Sequence, residues 1–155
     1  MRILLLLLAL ALPAFAFAVD TGGFGAAPAQ PSVQERLARA RKAIDAQDWN
    51  LAMRELSVAV REAPRNADVH NLMGYTYRKR PNPDMAKAYE HYDIALKLDP
   101  NHKGAHEYVG EAYLQDKRLA DAELQLVALE RICGGKNCEE YEDLAKSIAD
   151  YKAKN

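Results

Sequence analysis

Residues 67–79 read ADVHNLMGYTYRK, and residues 103–115 read KGAHEYVGEAYLQ. Both stretches share the pattern His-x2-apolar-Gly-x2-Tyr, and the second stretch begins 36 residues after the first. A pattern that recurs with a period of roughly 20 to 50 residues is the signature of a repeat architecture. The two stretches therefore predict a fold that is built from repeated units.

A second pattern, with Ala followed four residues later by Leu or Tyr, alternates with these stretches and also precedes the first of them. Each copy is closed by a helix breaker at the same distance from its Ala. Small residues at matching positions let paired helices approach closely, and we expect Gly74 and Gly110 each to face the partner helix of its own pair. A single pair cannot bury its apolar face, so the pairs must stack. The copies start at Ala52, Ala88 and Ala122, and the breakers are Pro64, Pro100 and Gly134.

A helical period continues from residue 32 to the end of the chain, and no alternating strand pattern occurs. Ser32 and Glu35 have the spacing of a capping box, which predicts a helix start. Asn137 and Glu140 have the same spacing. Trp49 is expected to lie in the first turn of the chain, between the first two helices. The predicted helices run from residue 32 and then over residues 51–63, 67–79, 84–98, 103–115, 119–133 and 137–153.

The repeated blocks resemble tetratricopeptide repeats, whose pattern is W-x2-L-G-x2-Y, then A-x3-F, then P. His70 and His106 stand in the Trp position. The resemblance implies an all-α fold, an α-solenoid of about three helix pairs and a C-terminal capping helix within residues 32–155. The first repeat departs from the pattern in its first helix, as terminal repeats often do. The expected repeats cover about residues 33–66, 67–102 and 103–136, and the cap covers residues 137–153.

The first 31 residues do not fit the repeat pattern. Arg2 precedes an apolar run over residues 3–12, and small residues alternating with Phe end at Ala18. This arrangement predicts a signal peptide of the exported bacterial type over residues 1–18, with cleavage after Ala18 or, as the alternative, after Ala16. The expected product is a periplasmic or secreted protein without stable membrane insertion. The alternative is a retained anchor, although the run is short for a spanning helix. Residues 19–31 contain three Gly and two Pro, which predicts a flexible leader.

Cys133 and Cys138 flank the predicted turn between the third repeat and the cap. In an exported protein, two cysteines at short spacing indicate a disulfide bond. The alternative is a thiol redox or metal-handling protein that works through the same two residues. Their C-x4-C spacing differs from the C-x-x-C spacing of redox motifs.

Other chemistry finds little support in the sequence. The formal net charge of −1 gives no basic surplus for nucleic acid. His70 and His106 are expected to pack, His102 to lie off the helix face and His91 to be solvated. There is no Gly-rich phosphate loop, no nucleophile–base arrangement and no complete set of metal ligands. We therefore expect a protein that is not an enzyme, with no catalytic residue, cofactor or metal.

The resemblance further implies that the first helix of each pair lines a concave groove, and that the partner is another protein or a peptide segment. Tyr75 and Arg78 are expected to be the main contacts, outside the packed row of their helix. Some tetratricopeptide proteins grip a C-terminal carboxylate with a Lys/Asn/Arg set. That set is absent, since the matching positions hold Leu37, Arg41, Leu72, Gly104 and Tyr108. The predicted groove residues are Leu37, Arg41, Ile44, Asn71, Tyr75, Arg78, Glu107, Glu111 and Leu114.

Overall fold

The computed structural model describes residues 30–155, so the predicted signal peptide and nearly all of the predicted leader lie outside the described residues. Within this part, the chain forms seven α-helices and no strand, which confirms the all-α prediction. The helices are α1 (Val33–Asp45), α2 (Trp49–Glu62), α3 (Ala67–Lys79), α4 (Met85–Leu98), α5 (Lys103–Gln115), α6 (Leu119–Cys133) and α7 (Glu139–Lys154).

The helix starts follow from local hydrogen bonding. At α1 the predicted capping box is present: the Ser32 hydroxyl accepts from the Glu35 N–H at 3.3 Å, and Glu35 accepts from the Ser32 N–H at 2.7 Å. Trp49 is the first residue of α2 rather than part of the turn, because Asp48 caps the helix by accepting from the Leu51 N–H at 2.9 Å. The predicted bounds of α3, α5 and α6 agree with the structure.

The helices pack as three successive pairs, α1 with α2, α3 with α4 and α5 with α6. The first helices of neighbouring pairs also contact one another, whereas α2, α4 and α6 have no close backbone contact with each other. Closer spacing on the side of the first helices makes that side the concave one. The last helix, α7, packs on α5 and α6 and buries Leu144 and Ile148.

Histidines in the Trp position hold α3 and α5 to the end of the preceding pair. The His70 Nε2–H donates to the Pro64 carbonyl at 2.9 Å, and the His106 Nε2–H donates to the Pro100 carbonyl at 3.0 Å. The other ring nitrogen of His70 lies 3.0 Å from Nδ1 of His91. The expectation that His91 is solvated is therefore wrong: it is half-buried, and burial, followed by the neighbouring His70, lowers the pKa of His91.

The two repeat glycines make room for side chains of different helices. A Cβ placed on Gly74 would lie 2.6 Å from the Tyr92 ring of α4, its partner helix, as expected. A Cβ placed on Gly110 would instead lie 2.7 Å from the Leu144 side chain of α7. The prediction that Gly110 faces α6 is wrong because α7 packs directly on α5 in the manner of the next first helix.

Cys133 and Cys138 form a disulfide bond across the turn from α6 to α7, as predicted. The turn contains Gly134, which ends α6 in the left-handed conformation at φ 68°. The predicted cap box at Asn137 is absent, since α7 begins at Glu139 without a side-chain cap. The disulfide thus fixes the entry into α7 where no side-chain cap does.

Replacing both Cys133 and Cys138 with Ser is expected to lower the free energy of unfolding by about 2 kcal/mol, because a short cross-linked loop restricts the unfolded chain only modestly. Urea unfolding measures the change, and circular dichroism should show the helices of the repeats intact. The matched control is the native protein unfolded with and without reductant. Complete alkylation of both cysteines before any reduction would contradict the disulfide.

Candidate functional site

The concave side is lined by matching faces of α1, α3, α5 and α7, and we call this surface the groove. Among the predicted groove residues, Arg41 is exposed, and Ile44, Tyr75, Glu107 and Glu111 are half-buried. These five side chains are accessible to a partner.

The other four predicted groove residues are buried. Leu37 is fully buried against Leu56 and Met73, and Leu114 is 8% exposed beside Leu129. The expectation that these two leucines face a partner is wrong, because each points between packed helices. Asn71 and Arg78 are 6% and 3% exposed and lie in the floor of the groove.

Arg78 joins three helices beneath the groove surface. Its guanidinium donates to the Glu111 carboxylate of α5 at 2.6 Å and to the Tyr92 hydroxyl of α4 at 3.3 Å. The expectation that Arg78 lies outside the packed row is therefore wrong. A buried arginine is stable only when its charge is paired, and Glu111 and Tyr92 supply the acceptors.

Two tyrosines form the aromatic part of the groove. The Tyr75 and Tyr108 ring centroids are 4.7 Å apart, and the Arg78 guanidinium lies 5.4 Å from the Tyr75 centroid. Burial, followed by the charges of Glu107 and other neighbours, raises the pKa of Tyr108 to about 12. Both rings therefore remain uncharged in neutral solution. Tyr108 was missed as a groove residue, although it directly follows Glu107 in the sequence.

The helix α7 extends the groove instead of only covering the solenoid end. The Ser147 hydroxyl donates to the second Glu111 oxygen at 3.3 Å. The charge of Asp143 acts on Glu107. Asp143 and Ser147 follow Glu107 and Glu111 by 36 residues, the offset that separates the two quoted stretches. That offset was the sequence signal for the role of α7.

The carboxylates make this end of the groove acidic. Burial, followed by the negative charges of Glu111, Asp143 and Glu140, raises the pKa of Glu107 to about 8, although Arg78 acts in the opposite direction. At the other end, Arg41 and Lys79 are exposed, and the Lys79 ammonium lies 6.0 Å from the Tyr75 centroid. That end carries charges of both signs, because Asp68 lies 4.0 Å from Arg41 and the charge of Asp45 acts on Tyr75.

One set of side chains in residues 30–155 has ligand atoms close enough for a metal ion. The sulfurs of Cys133 and Cys138 and a carboxylate oxygen of Glu140 lie within 4.8 Å of one another. The two sulfurs are bonded to each other, so neither is a thiolate ligand in this state. None of the helices in the same range has the length and apolar character needed to cross a membrane.

No model of a protein family matches the chain, and no curated protein matches it. A solved structure, the TPR2B-domain:pHsp70-complex of yeast Sti1, is similar with a TM-score of 0.68 and 17% sequence identity. The similarity covers 79% of this chain and 98% of that chain. The chain therefore has the fold of a tetratricopeptide-type helical repeat, as its sequence pattern predicted.

Proposed function

We propose that this protein is an exported scaffold or assembly adaptor that binds a peptide or protein segment in its groove. The observation that carries the proposal is the accessible Tyr75–Tyr108 pair on the concave side of a helical repeat. Tyrosines offer a large, rigid contact area with a polar end, and they are enriched where binding energy concentrates. The similar yeast domain is in a complex with pHsp70, which supports a macromolecular partner for this fold.

The proposed location is the periplasm or the exterior, after removal of residues 1–18. Its support is the sequence pattern that ends at Ala18. The Cys133–Cys138 disulfide is consistent with it, because disulfides persist in oxidising compartments. We assign no catalytic step to the groove, since its accessible side chains include no nucleophile–base pair.

Binding in the groove should depend strongly on Tyr75. The Tyr75→Ala variant is expected to weaken partner binding about 30-fold, the effect of losing one aromatic contact worth about 2 kcal/mol. Its helicity should be unchanged, because the Tyr75 side chain is only half-buried. The measurement is photocrosslinking in the exported fraction with a photoreactive residue at position 75, followed by titration of the captured partner against each variant.

The convex side offers a matched control. Leu124 and Val127 on α6 are each 64% exposed, so the Leu124→Ala, Val127→Ala variant removes accessible apolar surface outside the groove. This variant should retain full affinity, and a photoreactive residue at position 124 should capture nothing. Crosslinks from position 124 but none from position 75 would locate binding on the convex side and contradict the proposal.

A further inference from the structure

Two buried or half-buried acceptors in the groove lack a donor. No Lys, Arg or His of residues 30–155 lies within ion-pair distance of the Glu107 carboxylate. The Asn71 side-chain oxygen is buried without a hydrogen-bond partner in the same part of the chain. The buried Asn71 oxygen costs free energy without a donor, whereas Glu107 is half-buried and its carboxylate keeps access to solvent.

Asn71 and Glu107 belong to the same part of the groove floor. A Cβ placed on Gly104 would lie 3.1 Å from the Asn71 amide nitrogen. Gly104 and Glu107 are three residues apart on α5 and therefore share a helix face. The Asn71 amide thus lies beside the row of α5 that carries Glu107.

Among residues 30–155, no cation forms an ion pair with Glu107. The charge of Arg78 acts on Glu107, but its guanidinium is already held by Glu111 and Tyr92. The neighbouring groove positions on α7 carry Glu140 and Asp143, which add negative charge. The Tyr75–Tyr108 pair borders the same region, since the charge of Glu107 acts on both rings. Aromatic faces beside carboxylates form a favourable environment for a guanidinium or ammonium group.

We propose that the segment bound in the groove is basic and places a Lys or Arg side chain between the Tyr75–Tyr108 pair and Glu107. Its N–H groups donate to the Glu107 carboxylate. This inference rests on the proposed function and names the chemistry of its partner.

The ionisation of Glu107 makes this binding dependent on pH. The groups that face Glu107 are Glu111 and Tyr108 on α5, Arg78 and Tyr75 on α3, and Glu140 and Asp143 on α7. A cation prefers the ionised carboxylate, whose pKa is about 8 in the unbound protein. Affinity should therefore rise from pH 6 to pH 9, by up to about a hundredfold if only the ionised form binds.

The test uses the full chain and fluorescein-labelled peptides in anisotropy titrations. The probe is a twelve-residue peptide with four Arg among Gly and Ala, and the comparison peptide carries neutral citrulline at the same four places. We expect the Arg peptide to bind at least about tenfold more tightly at pH 8, because a cation held by a carboxylate and an aromatic face contributes about 1.4 kcal/mol or more.

Glu107→Gln should lower the affinity for the Arg peptide about tenfold and should remove most of the dependence of that affinity on pH. This variant should fold, because the native protein already holds Glu107 protonated below about pH 8. The matched control is Glu90→Gln, which removes one exposed charge from α4 and should bind like the native protein. Equal losses in both variants would mean long-range attraction only and would overturn the inference.

Two further outcomes separate this inference from the proposed function. Equal binding of the Arg and citrulline peptides, or no binding of the Arg peptide, overturns the basic partner. If Tyr75→Ala still weakens binding of the native partner about 30-fold in that case, the groove remains the binding site. If Tyr75→Ala binds the native partner as tightly as the native protein does, the proposed function fails as well.

Discussion

Replacing Gly74 with leucine is expected to lower the free energy of unfolding by about 3 kcal/mol or more, because overpacking a tight helix contact forces neighbouring side chains out of their places. A Cβ at this position would already lie 2.6 Å from the Tyr92 ring, and Tyr92 is fully buried. The ring has little room to move aside, because it is fully buried and its hydroxyl also accepts a hydrogen bond from Arg78. A loss of this size is a large part of the stability of an ordinary domain.

Gly74→Ala isolates the steric part of this effect. In an exposed helix, replacing glycine with alanine would raise the free energy of unfolding by about 1 kcal/mol. Here we expect a loss instead, because the methyl group meets Tyr92. The first repeat shows how the contact can be relieved: Ala40 and Leu56 occupy the matching positions there, and both are fully buried.

The double variant Gly74→Ala, Tyr92→Leu reproduces that arrangement and serves as the matched control. Its loss of unfolding free energy should be smaller than the sum of the losses in the two single variants, and the difference is a coupling energy of about 1 kcal/mol. Urea unfolding of the four proteins provides the measurement. An unchanged melting temperature in Gly74→Leu would mean that α3 and α4 do not pack as described.

The fold was predictable because repeat spacing, breakers and caps are local signals. The bounds of α3, α5 and α6 followed from periodicity and from the breakers around them. The role of Gly74 also followed, since a glycine inside a helix indicates a close neighbour. The target of Gly110 did not, because nothing near it in the sequence shows that α7 would pack on α5.

The groove was predicted only in part, for a physical reason. A first helix inside the solenoid contacts its own partner and the first helices on both sides, so much of its surface is covered. Side chains in the row beside the packed one are therefore buried to different degrees: Tyr75 is half-buried, whereas Asn71 and Leu37 are buried. An arginine in a sequence indicates exposure, and the acceptor that allows Arg78 to be buried is Glu111, 33 residues away.

Arg78→Ala is expected to lower the free energy of unfolding by about 2–4 kcal/mol, because removing one member of a buried ion pair leaves the other charge without compensation. The Arg78 side chain is 2% exposed and that of Glu111 is 26% exposed, so water screens part of the remaining charge. The Tyr92 hydroxyl also loses its donor inside the core. The loss of unfolding free energy should therefore fall near the lower end of the range for breaking a fully buried ion pair.

Replacing both Arg78 and Glu111 distinguishes the effect of an unpaired charge from the effect of lost packing. In Arg78→Met, Glu111→Leu, no charge is left unpaired and the volume is nearly kept, so most of the lost stability should return. The comparison with Tyr75→Ala then separates the stabilising role of Arg78 from the proposed binding role of Tyr75 on the same helix. Tyr75→Ala should leave the urea midpoint almost unchanged, whereas Arg78→Ala should lower it clearly. If Arg78→Ala unfolds at the same urea concentration as the native protein, Arg78 is not part of the packed floor and its contribution to binding can be tested directly.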